Sequence, residues 1–206
     1  MERLCQTYWY PVYVFVRRKG NSHEDASDLT QAFFARFLEK DYLRSVSSDL
    51  GKFRTFLLMS VTRFLANEWD KTHAQRRGGQ YQIISLDASD ADERYLLEPE
   101  DHATPEAIFE RRWAEALIAV VLDRLAAETN EERFEILKTF LLEEKGATSY
   151  ELAARQLSLS VPAITSAIFR MRARFRVLLL EEIASTVETP DEVEPELRHL
   201  QAVLSN

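Results

Sequence analysis

Thr148–Arg176 reads TSYELAARQLSLSVPAITSAIFRMRARFR, and two helix-start signals within it decide the fold. Thr148 and Glu151 have the spacing of a capping box, which predicts a short helix through Tyr150, Leu152, Ala153 and Leu157. Ser160 then caps a long helix with Pro162 in its first turn, where the missing N–H is harmless. Along that helix Ile164, Ile168, Met171, Phe175 and Leu178 recur at intervals of four, three, four and three, which is one apolar stripe. Short helix, tight turn and long helix together have helix-turn-helix spacing. Thr165, Ser166, Phe169, Arg170, Arg172, Arg174 and Arg176 lie off the stripe.

The flanks carry the same kind of punctuation. Upstream, Thr104-Pro105-Glu106 combines a capping hydroxyl, proline at the first helical position and an acid in the first turn. It predicts a helix with Ile108, Trp113, Leu117, Val121 and Leu125 that lasts to about Ala127. Thr129 and Glu132 repeat the capping-box spacing for a helix containing Phe134, Leu137, Phe140 and Leu141 and ending near Gly146. Downstream, Thr189-Pro190 starts a small acidic helix through Val193, Leu197, Leu200 and Leu204. Towards the beginning of the chain, a helix over Glu2–Lys19 carries Leu4, Tyr8, Pro11 or Val12, and Phe15 on one stripe, and Gly20-Asn21 closes it. Ser22 caps a second helix, with Glu24 and Asp25 at its positive end and Ala26, Leu29, Phe33 and Phe37 inward, beside Thr30, Phe34 and Leu38. After a loop over Asp41–Gly51, a third helix from Lys52 to Arg77 buries Phe53, Leu57, Val61 or Ser60, Phe64 and Leu65, and ends polar and basic. Gly78-Gly79 is the strongest break, and the acid-rich stretch that follows to His102 reads as an interdomain linker.

An all-α protein follows, in two small helical domains: residues 1–77, an acidic linker over 78–104, residues 105–184, and an acidic extension over 185–206. The composition agrees. The 206 residues are 46% hydrophobic and 29% charged, with only six prolines and five glycines, which excludes disordered and collagen-like chains. The single Cys5 has no internal partner, no basic start leads into a cleavable apolar segment, and no apolar run approaches the roughly 20 residues of a membrane span. A cytoplasmic protein is the expectation.

The net charge of −8 looks unsuited to nucleic acid, but its distribution points the other way. Residues 1–77 and 133–180 each carry a net +4, whereas 78–132 carry −10 and 181–206 carry −6. At physiological salt the Debye length is about 8 Å, so acids several turns away barely oppose a phosphate contact. On the long helix, four arginines occur with no acid before Glu181. A recognition helix presents its first turns to base edges while cations farther along touch phosphates. Pro162, Ala163, Thr165, Ser166, Phe169 and Arg170 would then face bases, with Arg172, Arg174 and Arg176 on the backbone. A solvated face kept soluble by its arginines is the plainer alternative.

Asp25-Ala26-Ser27-Asp28-Leu29-Thr30-Gln31-Ala32-Phe33-Phe34, followed by a helix ending Asn67-Glu68-Trp69-Asp70 and Arg76-Arg77, closely resembles region two of bacterial RNA polymerase sigma factors of the extracytoplasmic-function group, in the sigma-70 family. Tyr150-Glu151-Leu152-Ala153 through Arg170-Met171-Arg172 is similar to region four of the same group, in the expected order and separation. Together they cover the chain to about Ala184. The resemblance implies a factor that binds core RNA polymerase, through the β′ clamp helices and the β flap, and directs it to promoter DNA. It assigns Asp25, Asp28, Gln31 and Phe34 to core binding, although the two acids also suit a helix start and Phe34 a core. It places Ser47–Phe56 at an unstacked base of the minus-ten element, with Lys52, Phe53, Arg54 and Phe56 as cations and aromatic platforms, at least one phenylalanine being needed inside. Arg63, Asn67, Lys71, Arg76 and Arg77 correspond to the stretch facing duplex and bubble there. Thr165, Ser166, Phe169, Arg170, Arg172, Arg174 and Arg176 correspond to the minus-thirty-five reader. The resemblance further implies a linker along the RNA-exit path and control by an anti-sigma or other regulatory protein.

The chain departs from the family in four places. Leu157-Ser158 stands where the turn usually has glycine after the leucine, Trp69 is unusual beside Asn67 and Asp70, the Arg124–Tyr150 segment is longer and lacks a Leu-Pro corner, and residues after Ile183 are additional. That acidic tail could fold back on the basic helix-turn-helix module or dock on another protein. A stand-alone helix-turn-helix repressor or activator, and a helical adaptor without a DNA role, are the rival readings. An enzyme finds little support: His23, His73, His102 and His199 make no i,i+4 metal pair, and no glycine-rich phosphate loop is present, so neither metal nor cofactor is expected.

Overall fold

The computed structural model describes residues 2–39, 52–74, 91, 94–96, 103–141 and 146–205, with the side chains at 2–4, 39, 71–74 and 147–148 outside that description. Every regular element among them is helical. In chain order these are α1 (Glu2–Arg18), α2 (His23–Glu39), α3 (Phe53–Ala74), α4 (Pro105–Ala127), α5 (Glu131–Lys138), α6 (Ala147–Gln156), α7 (Val161–Ala184), a 3₁₀ turn (Pro190–Glu192) and α8 (Val193–Ser205). No described helix is by itself long and apolar enough to cross a membrane. The predicted loop over 41–51 and nearly all of the predicted linker lie outside the described residues.

The chain forms two compact units, one of residues 1–116 with 186–206 and one of residues 117–185. This differs from the division expected at the acidic stretch. The reason is aromatic: the first half of α4 carries Phe109 and Trp113, both without solvent exposure, and their rings pack on α1 and α3. Trp113 stacks on Tyr8 at 3.8 Å between centroids and lies 5.7 Å from Phe53, while Phe109 meets Phe15 edge-on at 6.0 Å. Each such pair adds about 0.5–1.5 kcal/mol beyond the area it buries.

In the first unit α1 is the centre. The single stripe expected for it is too narrow, because Val12, Tyr13, Val14, Phe15 and Val16 are all fully buried in succession. A helix apolar on every side needs neighbours on every side. Its end is set by Gly20, whose φ of +93° suits glycine, with the Asn21 amide donating to the Val16 carbonyl at 2.9 Å. Ser22 begins α2 as expected, accepting from the Asp25 N–H at 3.1 Å. Phe33 and Phe37 of α2 then meet Phe64 and Phe56 of α3 at 5.6 and 5.9 Å. The stretch after α7 belongs here too: the Thr186 carbonyl accepts from the Phe53 N–H at 2.9 Å, satisfying one donor at the open start of α3. Leu197 and Leu200 of α8 are buried.

In the second unit α6 and α7 cross at 97° through the four residues 157–160. Ser160 caps α7, accepting from the Ala163 N–H at 3.3 Å, and the stripe from Ile164 to Leu178 is buried as its spacing predicts. Two starts differ by a residue or two from expectation. Asn130, not Thr129, caps α5 by accepting from the Arg133 N–H at 3.3 Å, and α6 begins at Ala147 after Gly146, which puts Thr148 inside the helix. Leu152 faces solvent, and Ala153 and Ala154 form the buried side of α6.

Candidate nucleic-acid interface

The turn between α6 and α7 fixes how the second helix is offered. Ser158 has φ +52°, the left-handed conformation that glycine adopts without steric cost. The departure from glycine at this place therefore leaves a glycine-like backbone with a serine on it. With the buried stripe held inward, Pro162, Thr165, Ser166, Phe169 and Arg170 are left together on the outward side of the first three turns. Their spacing of three, one, three and one is that of a single helix face. Phe169 is 74% exposed, a large ring with no core to explain it. Thr165 donates its hydroxyl to the Val161 carbonyl at 3.1 Å, so outward it offers lone pairs and a methyl group.

The remaining arginines divide by partner. Arg172 turns inward and donates from Nε to the Phe140 carbonyl at 2.9 Å, tying α7 to the turn after α5. Arg174 makes a two-pronged pair with Glu128, Nε to Oε2 at 2.8 Å and Nη2 to Oε1 at 2.6 Å. Hydrogen bonding from Arg174 holds the Glu128 carboxyl below its ordinary range, and the same bond raises Arg174. Arg176 is exposed. Arg172 and Arg174 of the phosphate row expected along this helix thus already have partners within the unit. Arg133, which spacing did not single out, joins Arg170 and Arg174 at the rim of a shallow cavity of about 350 Å³ whose floor includes Leu125, Leu137 and Met171.

The first unit treats its expected site residues differently. On α2, Asp25 and Asp28 are exposed, Gln31 is half-buried with its amide 3.4 Å from the Ser27 hydroxyl, and Phe34 is buried against Phe33 and Phe37. Ser22 donates to Asp25 at 2.7 Å, so that acid also serves the helix start. On α3, Arg63 and Asn67 are exposed, whereas Phe56 is buried and Phe53 sits half-buried among Tyr8, Phe56 and Trp113. Phe56 is core rather than a platform, because its place on α3 points it at Phe37. The Lys71 side chain, Arg76 and Arg77 lie outside the described residues.

Lys52 and Arg54 meet an acid that sequence reasoning missed. Glu196 of α8 is 1% exposed. Its Oε2 lies 2.7 Å from Lys52 Nζ and its Oε1 3.0 Å from Arg54 Nε, while Arg54 also pairs with Glu110, which His199 approaches at 3.2 Å. Burial pushes the Glu196 carboxyl up, but Arg54 and Lys52 outweigh it and hold the group below its ordinary value. The signal available in the sequence was a glutamate one position before Leu197, on the edge of α8's apolar side. Among the described residues no cluster of His, Cys, Asp and Glu could hold a metal ion. Set against family models, curated proteins and solved structures, the chain matches none of them.

Proposed function

We propose that the protein is a promoter-specificity factor of the sigma type, which binds core RNA polymerase and directs initiation at chosen promoters. The observation that carries this reading is the helix-turn-helix of the second unit, with two helices at 97° and an outward face of Pro162, Thr165, Ser166, Phe169 and Arg170 that is not used for packing. Such a face fits the major groove. Arg170 is suited to a two-pronged contact with guanine, which discriminates by about 1–3 kcal/mol, and Phe169 to the methyl group of thymine. The resemblance of Asp25–Phe34 to the polymerase-binding helix supplies the other half. Asp25 and Asp28 stand outward there, and Arg63 and Asn67 of α3 are open to the minus-ten element.

Run-off transcription with purified core enzyme and a pool of genomic promoters tests the proposal. Discrete transcripts that depend on the protein are expected; none at any ratio to core would end it. In the same assay Phe169→Ala and Arg170→Ala should each lower the specific signal about ten-fold with unchanged thermal stability, since both side chains are exposed. One observation favours a second reading. Arg54 and Phe56 are buried and Lys52 is paired, so a regulator that reads an operator with the second unit alone would need none of them. That protein would bind duplex DNA tightly without polymerase, and a mobility-shift assay lacking core separates the two.

A further inference from the structure

We propose that Lys52 and Arg54 form a phosphate site for single-stranded DNA, which α8 keeps filled with the carboxylate of Glu196. The inference rests on the promoter reading above and adds its regulation. A carboxylate held between a lysine and an arginine presents two oxygens to two charged donors, the same demand a phosphodiester makes. Glu196 does so at 2.7 and 3.0 Å while almost wholly removed from water. The charges facing this place are Lys52, Arg54, Glu110, Glu196 and, through Glu110, His199. With Glu196 withdrawn, two cations stand against one carboxylate, and the site becomes attractive to an anion. The Phe53 N–H beside them is taken by the Thr186 carbonyl, seven residues before α8, and stays so when α8 leaves. The half-buried Phe53 ring stands between Lys52 and Arg54 in sequence and offers an aromatic edge to a base.

Among the described residues, the buried side chains of α8 are Glu196, Leu197 and Leu200, with His199 set against Glu110, while Arg198, Gln201, Ala202 and Leu204 are exposed. A helix of 13 residues has little stability apart from such docking. Docked, it competes as a tethered ligand at high effective concentration, so free single strands are refused. A strand delivered at comparable local concentration, as in an opened promoter held by polymerase, displaces it.

The test uses the full chain with Leu197→Ala and Leu200→Ala together to loosen α8. The probe is a fluorescently labelled single-stranded oligonucleotide carrying a promoter's non-template sequence. Anisotropy should show affinity raised about ten-fold or more at low salt, with a log–log salt slope steeper by roughly 0.7 for each additional phosphate neutralised. Adding Lys52→Gln should cancel the increase. Affinity unchanged with helical content intact, or an increase that survives Lys52→Gln, would overturn the proposal. Should the double variant lose its fold, hydrogen exchange on the unaltered protein decides. Saturating oligonucleotide should strip protection from the amides of α8, and protection kept in the DNA-bound state, or no binding at any concentration, counts against it. A run-off assay in parallel keeps the two readings apart. Loss of promoter-directed transcripts with the anisotropy increase present removes the sigma reading and leaves the phosphate site standing.

Discussion

At Ser158 the φ of +52° costs an L-residue about 1–2 kcal/mol, part of which glycine would recover before the entropy it adds to the unfolded chain is subtracted. Ser158→Gly should therefore raise the stability of the second unit by about 0.5–1 kcal/mol in urea denaturation, and Ser158→Val, branched at Cβ, should lower it. Other residues were legible to different depths. Spacing alone put Ile164, Ile168, Met171, Phe175 and Leu178 inside, and Thr165, Ser166, Phe169 and Arg170 outside, because one apolar stripe on α7 leaves no choice. Phe34, Arg54 and Phe56 could not be placed in that way. They sit in helices with wide apolar faces, where a neighbour decides which ring or guanidinium is covered, and for Arg54 the neighbour is Glu196, 142 positions away.

Among elements, α8 carries a dependence on pH through Glu196. Glu196 has a folded-state pKa below its unfolded value, because Arg54 and Lys52 outweigh the opposing effect of burial. Its contribution to the first unit is therefore complete at neutral pH and is lost as pH falls through the depressed folded value. Chemical denaturation should find Glu196→Gln less stable than the parent by roughly 3 kcal/mol at neutral pH, with the two curves converging in acid. A gap that persisted at low pH would mean that the carboxylate charge is not what holds the helix. Helix starts were legible where a hydroxyl directly precedes the apolar pattern, as at Ser22 and Ser160. They slipped where two candidates compete: Asn130 displaces Thr129, since its longer amide reaches the Arg133 N–H. For α1 the pattern rule gave the helix but understated its burial, because aromatic and β-branched residues on its second side were not counted as a second face.

For the whole molecule, sequence located the all-helical class and the short turn between α6 and α7 but not the membership of the two units. Gly78-Gly79 and the acids after it are where the sequence alone places a division, whereas membership is decided by the Trp113 and Phe109 rings that follow. Trp113→Ala should accordingly cost about 3–5 kcal/mol in the first unit. Hydrogen exchange read segment by segment should show α1 and α3 amides exposed and those of α7 little changed; equal loss in both units would show that they unfold as one. The make-up of the first unit, from residues 1–116 and 186–206, also orders events on the ribosome. The 117–185 segment is made before the stretch that takes the Phe53 N–H and pairs with Lys52 and Arg54. Until Glu196 has been added, the first unit holds one cation more than Glu110 can balance, so it can close only after 117–185 has been made.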